Sequence, residues 1–120
     1  MIAFISGHLN ISKEEFAEHY IPKIQSAIDA GHHFIVGDAR GTDIMAQQYL
    51  LSKNVIERTT VYHMFTSPRN CVEGAWRRGS YSSDDERDTA MTTHSNYDIA
   101  WVRPGREDSG TQQNLNRRNP

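Results

Sequence analysis

Cysteine is nearly missing from this chain. Cys71 stands alone, which excludes an internal disulfide framework and suits a reducing compartment. Long hydrophobic runs are missing as well. The opening Met1-Ile2-Ala3-Phe4-Ile5 is apolar for only five residues before Ser-Gly-His, too short for a signal peptide or a membrane span. It reads instead as the first strand of a soluble, cytoplasmic protein with no membrane partner. Basic charge is not in excess. The net charge is −2, whereas non-specific nucleic-acid binding usually needs a basic face. No Cys/His pair has zinc spacing, and the side chains of adjacent His32 and His33 diverge, so neither a metal site nor a cofactor is expected. At 120 residues the chain is sized for one domain with one core.

What is present is a glycine loop in a telling place. Gly37-Asp38-Ala39-Arg40-Gly41-Thr42-Asp43 directly follows the apolar run His33-Phe34-Ile35-Val36. This is a strand feeding a tight turn that opens into a helix. Gly37 and Gly41 let a ligand approach the main chain closely, and Thr42 or Asp43 is placed to cap the helix. The free N–H groups and dipole of a helix start suit an anion such as phosphate, and Arg40 adds a planar donor fork. No Gly-Lys-Ser/Thr follows, so this is not a Walker loop.

The remaining pattern alternates strands with helices. Ile2 to Ser6 lacks alternation, as in a central parallel strand buried on both faces. Ser12-Lys13-Glu14-Glu15 has capping-box spacing. A helix follows to about Ala30, kinked or divided at Pro22, with Gly31 at its C′ position. A second strand is predicted near 33–36, a second helix over 42–52 and a third strand over 59–64. Residues 65–82 form a long connection containing Trp76-Arg77-Arg78. A third helix starts at Ser83, a fourth strand spans 98–102, and the loop 103–111 leads to a short helical tail. The expected architecture is α/β in three layers, with a mostly parallel sheet of about four to five strands. Ligands in such folds sit beyond the carboxyl ends of the strands. The loops at Ser6-Gly7-His8, at 37–43 and at Gly105 to Thr111 all lie there.

Those loops, in this order, resemble the SLOG superfamily of Rossmann-like proteins, which includes the Lonely Guy phosphoribohydrolases, the DNA-processing protein A core and the YpsA-like proteins. Phe4-Ile5-Ser6-Gly7-His8 is similar to the first strand and its Ser-Gly turn. Residues 37–43, with Ala46, are similar to the Gly-Gly-Ala-Arg-Gly-x-Asp element, with Asp38 replacing the second glycine. Arg87-Asp88-x-x-Met91, followed by Tyr97-Asp98-Ile99-Ala100, is similar to the arginine-bearing helix and the strand after it. Pro104-Gly105 and Ser109-Gly110-Thr111 are similar to a Pro-Gly-Gly-x-Gly-Thr loop stretched by Arg106-Glu107-Asp108. The resemblance implies a nucleotide ligand held by Ser6, Gly7, His8, Gly37, Asp38, Ala39, Arg40, Gly41, Asp43, Arg87, Gly105, Ser109, Gly110 and Thr111. It also implies a homo-oligomer, as does the small size of the domain.

The same resemblance implies a runner-up activity, N-glycosidic cleavage of nucleoside 5′-monophosphates. In the Lonely Guy branch a helix arginine and a glutamate just after the Gly-Thr perform it. Arg87 matches the arginine, but Gln112, Gln113 and Asn114 stand where the glutamate belongs. A neutral amide neither takes a proton from water nor stabilises an oxocarbenium ion by charge. Asp85, Glu86, Asp38 and Asp43 are the possible substitutes, so catalytic residues reduce to the candidates Arg87, Glu86 and Asp85. A DNA-processing type of nucleic-acid module ranks lowest, because no basic stripe exists. The carboxylates Glu107 and Asp108 beside the last loop predict a preference for mono- or diphosphates over triphosphates.

Each residue also has an ordinary reading. Arg40 clamps phosphate or locks its own loop. Asp43 is more a cap or loop organiser than an acid or base. Arg87, a cation in a helix's first turn, serves a ligand or pairs with a nearby acid. His8 contacts a ligand or is a satisfied loop histidine. Trp76-Arg77-Arg78 stacks on a base, meets a partner chain, or is a surface arm, with the last preferred.

Overall fold

A computed structural model describes residues 1–119. Five parallel strands form one sheet: β1 (Ile2–Ser6), β2 (His33–Val36), β3 (Thr59–Met64), β4 (Trp76–Tyr81) and β5 (Tyr97–Ala100). Their spatial order is β4-β3-β2-β1-β5. The chain therefore works outward from β1 to the β4 edge, then crosses back to place β5 on the other side of β1. That reversal puts a topological switch point at the carboxyl ends of β1 and β5, where ligands bind in open α/β sheets. The fold is the expected Rossmann-like α/β arrangement.

Helices α1 (Lys13–His19), α2 (Ile21–Asp29) and α3 (Thr42–Ser52) pack on one face of the sheet, and α4 (Asp84–Thr93) and α5 (Gly110–Arg118) on the other. Strand side chains alternate between the faces. Ala3, Ile5, Phe34, Val36, Val61 and Ile99 join Phe16, Tyr20, Ile24, Ala46 and Leu50 on the α1–α3 side. Phe4, Ile35 and Tyr62 meet Met91 of α4 on the other. Pro22 resolves the first helical stretch into two helices, because it falls in the first turn of α2, where its missing N–H costs nothing. Ser12 forms the capping box with Glu15, its hydroxyl accepting the Glu15 N–H and the Glu15 carboxylate accepting the Ser12 N–H.

Three features depart from the sequence reading. A strand, β4, lies inside the long connection, and the last strand starts and ends earlier, at Tyr97 and Ala100. β4 went unseen because Trp-Arg-Arg-Gly-Ser-Tyr carries no apolar alternation, being an edge strand exposed almost throughout. Helix α3 is capped by neither Thr42 nor Asp43. Its N-cap is Gly41, at φ 76°, close against the Leu9 carbonyl, so a Cβ there would clash. Thr42 instead donates its N–H and its hydroxyl to the His8 carbonyl. Third, a short 3-10 turn (Ile56–Arg58) precedes β3.

The connection 65–75 returns from the end of β3 to the start of β4 without a helix. Buried Gln47 of α3 holds it: its amide Nε2 donates to the Gly37 carbonyl (3.1 Å) and the Asn70 carbonyl (3.2 Å), and its Oε1 accepts the Val72 N–H (2.9 Å). Tyr20 does similar work at the first loop. Its hydroxyl donates to the Ser6 carbonyl (2.7 Å) and accepts the Trp101 N–H (3.0 Å) in a fully buried setting. Burial pushes the phenol up to about 12, so it stays protonated. Removing one partner of a buried hydrogen bond costs about 1–3 kcal/mol. Tyr20→Phe is therefore expected to destabilise the fold by about that amount in urea unfolding with an unchanged m-value; a stability within error of wild type would remove Tyr20 from this role.

Candidate functional site

Beyond the carboxyl ends of β1 and β2 lies a cavity of about 470 Å³, closed by the starts of α4 and α5. Of the residues that sequence and resemblance single out, Ser6, Gly7, His8, Gly37, Ala39, Asp43, Asp85, Arg87, Ser109, Gly110 and Thr111 line it. Four others do not. Arg40 is exposed and outside the wall, so its proposed phosphate fork does not reach the cavity. Gly105 is exposed with open space around it. Gly41 is spent on turning the chain into α3. Glu86 faces away, its carboxylate accepting the Ser82 hydroxyl (2.6 Å) and N–H (3.3 Å).

Asp38, the residue in place of a glycine, is 1 % exposed and sits beneath the cavity wall rather than on it. Its carboxylate accepts the Arg69 N–H (2.8 Å), the Arg69 guanidinium (2.8 Å and 3.3 Å) and Arg87 Nη1 (3.1 Å). Burial alone would raise its pKa, but the Arg69 bonds and charge, with Arg87, hold it below the usual carboxylate range. Arg87 is itself nearly consumed. It meets Asp38, Asp84 at 3.2 Å and Asp88 at 3.2 Å, leaving little of its fork for a ligand. The ion-pair reading of Arg87 holds, and its three acids explain how a cation tolerates the first turn of α4.

Asp43 differs from the other acids of the wall. Its Oδ2 accepts the Ala39 N–H (3.1 Å), and among the described residues it has no ion-pair partner. Burial pushes its carboxyl up to about 7; nearby Asp88 and Asp38 add to this, against the Ala39 bond and the Arg87 charge. Asp88 is also raised, mainly by burial. Asp43 thus carries a proton for part of the time at neutral pH, in a wall it shares with Asp84, Asp85 and Asp88.

The opposite wall is built by α5. Ser109 is its N-cap, the hydroxyl accepting the Gln112 N–H at 3.2 Å. The Gly110 and Thr111 N–H groups, at the first turn, have no intrahelical acceptor. Arg106 and Arg117 stand nearby, Arg117 held by Asn114 and Asp85. Asn114, directly after the pair Gln112-Gln113, is buried with its Oδ1 on Arg117. Ser6 contributes a hydroxyl at the cavity floor that is buried and has no hydrogen-bond partner among the described residues. His8 lines the site but is also a structural pin: its Nε2 accepts the Arg103 N–H at 2.9 Å. Burial, Arg103 and Arg106 together lower its pKa, keeping the ring neutral.

Arg69, Arg106, Arg117, Asp84 and Leu9 were not singled out in the sequence. Arg69 and Leu9 had no signal, since neither sits in a motif. Arg106 was visible as an insertion in the last loop. Among the described residues no group of His, Cys, Asp or Glu is arranged to hold a metal ion, and no helix is long and apolar enough to cross a membrane. No protein-family model, curated protein or solved structure matches the chain.

Two outcomes follow from these charges. Asp38→Asn leaves Arg69 and Arg87 short of their shared anion, and breaking a buried pair from one side costs about 3–5 kcal/mol. A loss near that size is expected in denaturant unfolding, with a loss below about 1 kcal/mol counting against the pairing. Asp43 has its native pKa above the unfolded value of 3.8, so its contribution to stability is fully present below that value and is lost as pH rises from there through about 7. Asp43→Asn keeps the Ala39 acceptor and is expected to flatten stability between about pH 4 and 7. Parallel wild-type and variant profiles would contradict the assignment.

Proposed function

We propose that the rim cavity binds a nucleoside phosphate, making this chain a nucleotide-binding domain of the SLOG type. The observation that carries the reading is a cavity of about 470 Å³ where unsatisfied groups of different elements converge. These are the Ser6 hydroxyl at the floor, the Gly110 and Thr111 N–H groups at the start of α5, and the Arg106 side chain. A phosphate at the α5 start answers both the N–H groups and the helix dipole. Leu9, half exposed at the mouth, offers an apolar wall for a base. The carboxylates of Asp84 and Asp85 accept hydroxyl or amine donors and oppose a highly charged polyphosphate, which favours mono- and diphosphates.

Calorimetry with adenosine, guanosine, cytidine and uridine monophosphates tests the reading. Ser6→Ala is the informative variant, because it removes a buried hydroxyl that lacks a partner in the free protein. It is expected to leave stability unchanged or raise it by up to ~1 kcal/mol while weakening binding by ~1 kcal/mol or more. Gly110→Trp fills open space near the α5 start and is expected to abolish binding in a folded protein. Arg40→Ala is expected to bind as wild type. Failure of every monophosphate to bind, or binding unaffected by Gly110→Trp, would overturn the site.

A second reading, hydrolysis of the N-glycosidic bond, has one observation in its favour. Asp43 is a carboxyl near pKa 7 within the cavity, suited to protonating a departing base. Against it, Asn114 and the two glutamines supply no anion at the α5 wall, and Arg87 is held by three acids. Chromatography for free base after incubation with the same monophosphates separates binding from cleavage. Base release lost in Asp43→Asn would establish the second reading.

A further inference from the structure

The opposite end of the sheet carries a cleft that the rim site does not explain. On the α4 side, the parallel register aligns Phe4, Ile35, Thr60 and Trp76 in one row across four strands. Ile2 and His33 pair below that row, and Tyr62 and Arg78 above it. Helix α4 covers Phe4, Ile35 and Tyr62 through Met91, then ends at Thr93. The amino-terminal part of this face is left as a cleft of about 310 Å³, bordered by Arg58, Arg78, His33, His94 and Trp76.

Trp76 is the unusual member. It is 67 % exposed, yet its indole Nε1–H donates to the Glu57 carbonyl at 3.0 Å. The ring is tethered without being buried, so part of the ordering cost of a stacking contact is met in advance. Arg78 is fixed as well: its guanidinium lies 5.9 Å from the Tyr62 ring centre and its Nε donates to the Tyr81 hydroxyl at 3.3 Å. Tyr62 in turn shares a hydrogen bond with His94 Nδ1 at 2.8 Å. The cleft therefore has an anchored aromatic plane at one side and two arginines, against the single carboxylate of Glu57.

We propose that this cleft is a second binding site, distinct from the rim cavity, for a small planar aromatic anion of mononucleotide size, its ring stacked on Trp76 and its charged group met by Arg78 and Arg58. The size favours one planar base and its charged substituent, since the volume is at the low end for small-molecule sites. A nucleic-acid strand is disfavoured, because two arginines make no track for successive phosphates and the chain's net charge is −2. Pairing of a second copy along β4 is disfavoured by Arg77 and Arg78 on that edge.

The test follows the indole N–H resonances of the full chain, two in wild type, with Trp76→Phe identifying which belongs to Trp76. The probes are adenosine monophosphate, adenosine (ring without charge) and ribose 5-phosphate (charge without ring), all added to Gly110→Trp so that the rim site is filled; its new indole is assigned by difference. The Trp76 resonance is expected to move saturably with the monophosphate. Adenosine and ribose 5-phosphate are each expected to bind ~5-fold or more weakly. Trp76→Ala and Arg78→Gln, both exposed and outside the core, are each expected to weaken the monophosphate ~5-fold or more in calorimetry on the same background. A Trp76 resonance unmoved at millimolar monophosphate would overturn the proposal. So would a shift that follows protein concentration, the sign of a second copy, or a single-stranded oligonucleotide that binds far more tightly with steep salt dependence. Rim binding failing while Trp76 responds leaves this site standing, and the converse leaves only the rim.

Discussion

The buried carboxylate of Asp38 is the constraint on which the rim depends. It follows β2, and it joins that strand to the connection 65–75 through Arg69 and to α4 through Arg87. The connection also packs Cys71, Val72 and Ala75 against the core, and α4 packs Met91. A 1 % exposed anion is tolerable only because two guanidinium groups and a backbone N–H surround it. The cost of burying the charge and the geometry of the wall above it are therefore one problem with one solution. Arg87 then collects Asp84 and Asp88, and the start of α4 is held against the cavity. A glycine at position 38 would free the loop and leave Arg69 and Arg87 without their common partner.

That arrangement divides the cavity into an organised acidic wall and a less committed cationic one. Arg69 and Arg87 are occupied below, and Arg117 is held by Asn114 and Asp85. The groups left for a ligand are mostly backbone N–H at α5, with the Ser6 hydroxyl and Arg106. A ligand of the proposed kind would meet the α5 start with its anion and the carboxylates with its donors. Asp43 stands between these roles, because burial without a cationic partner leaves its carboxyl near pKa 7. It accepts a hydrogen bond when ionised and can donate one when protonated.

Much of the fold was legible because strong local signals agreed. The capping box at Ser12, Pro22 at a helix start, the run 33–36 feeding the glycine loop, and Ser83 before α4 each point to one local structure. The resulting order of strands and helices places the three loops on one rim, and the cavity is there. What was illegible depended on partners distant in sequence. β4 has almost no buried residues to announce it, and pairs with β3 across a connection that no helix marks. Arg40 and Arg87 were equivalent in kind from the sequence, yet one points to solvent and the other sits among three acids. Helix spacing offers Asp84 to Arg87 as a local partner, but no spacing rule predicts Asp38, which lies 49 residues away.

The two ends of the sheet show why an edge strand in this fold is informative. At the carboxyl end, β1 and β5 separate their outgoing loops and create the rim cavity by topology. At the amino end, the cleft arises because α4 covers Ile35 but stops before Thr60 and Trp76, the next members of its row. A sheet face left open normally exposes polar or small side chains, yet here it carries a tethered indole, with Arg78 beside it and Arg58 of the 3-10 turn at its border. The indole's hydrogen bond to Glu57 ties β4 to the 3-10 turn before β3, which helps hold the edge strand in register. That contact would be served by a buried tryptophan equally well. Stability alone therefore accounts for the tether but not for the exposure, and the exposure is what makes the ring available to a ligand.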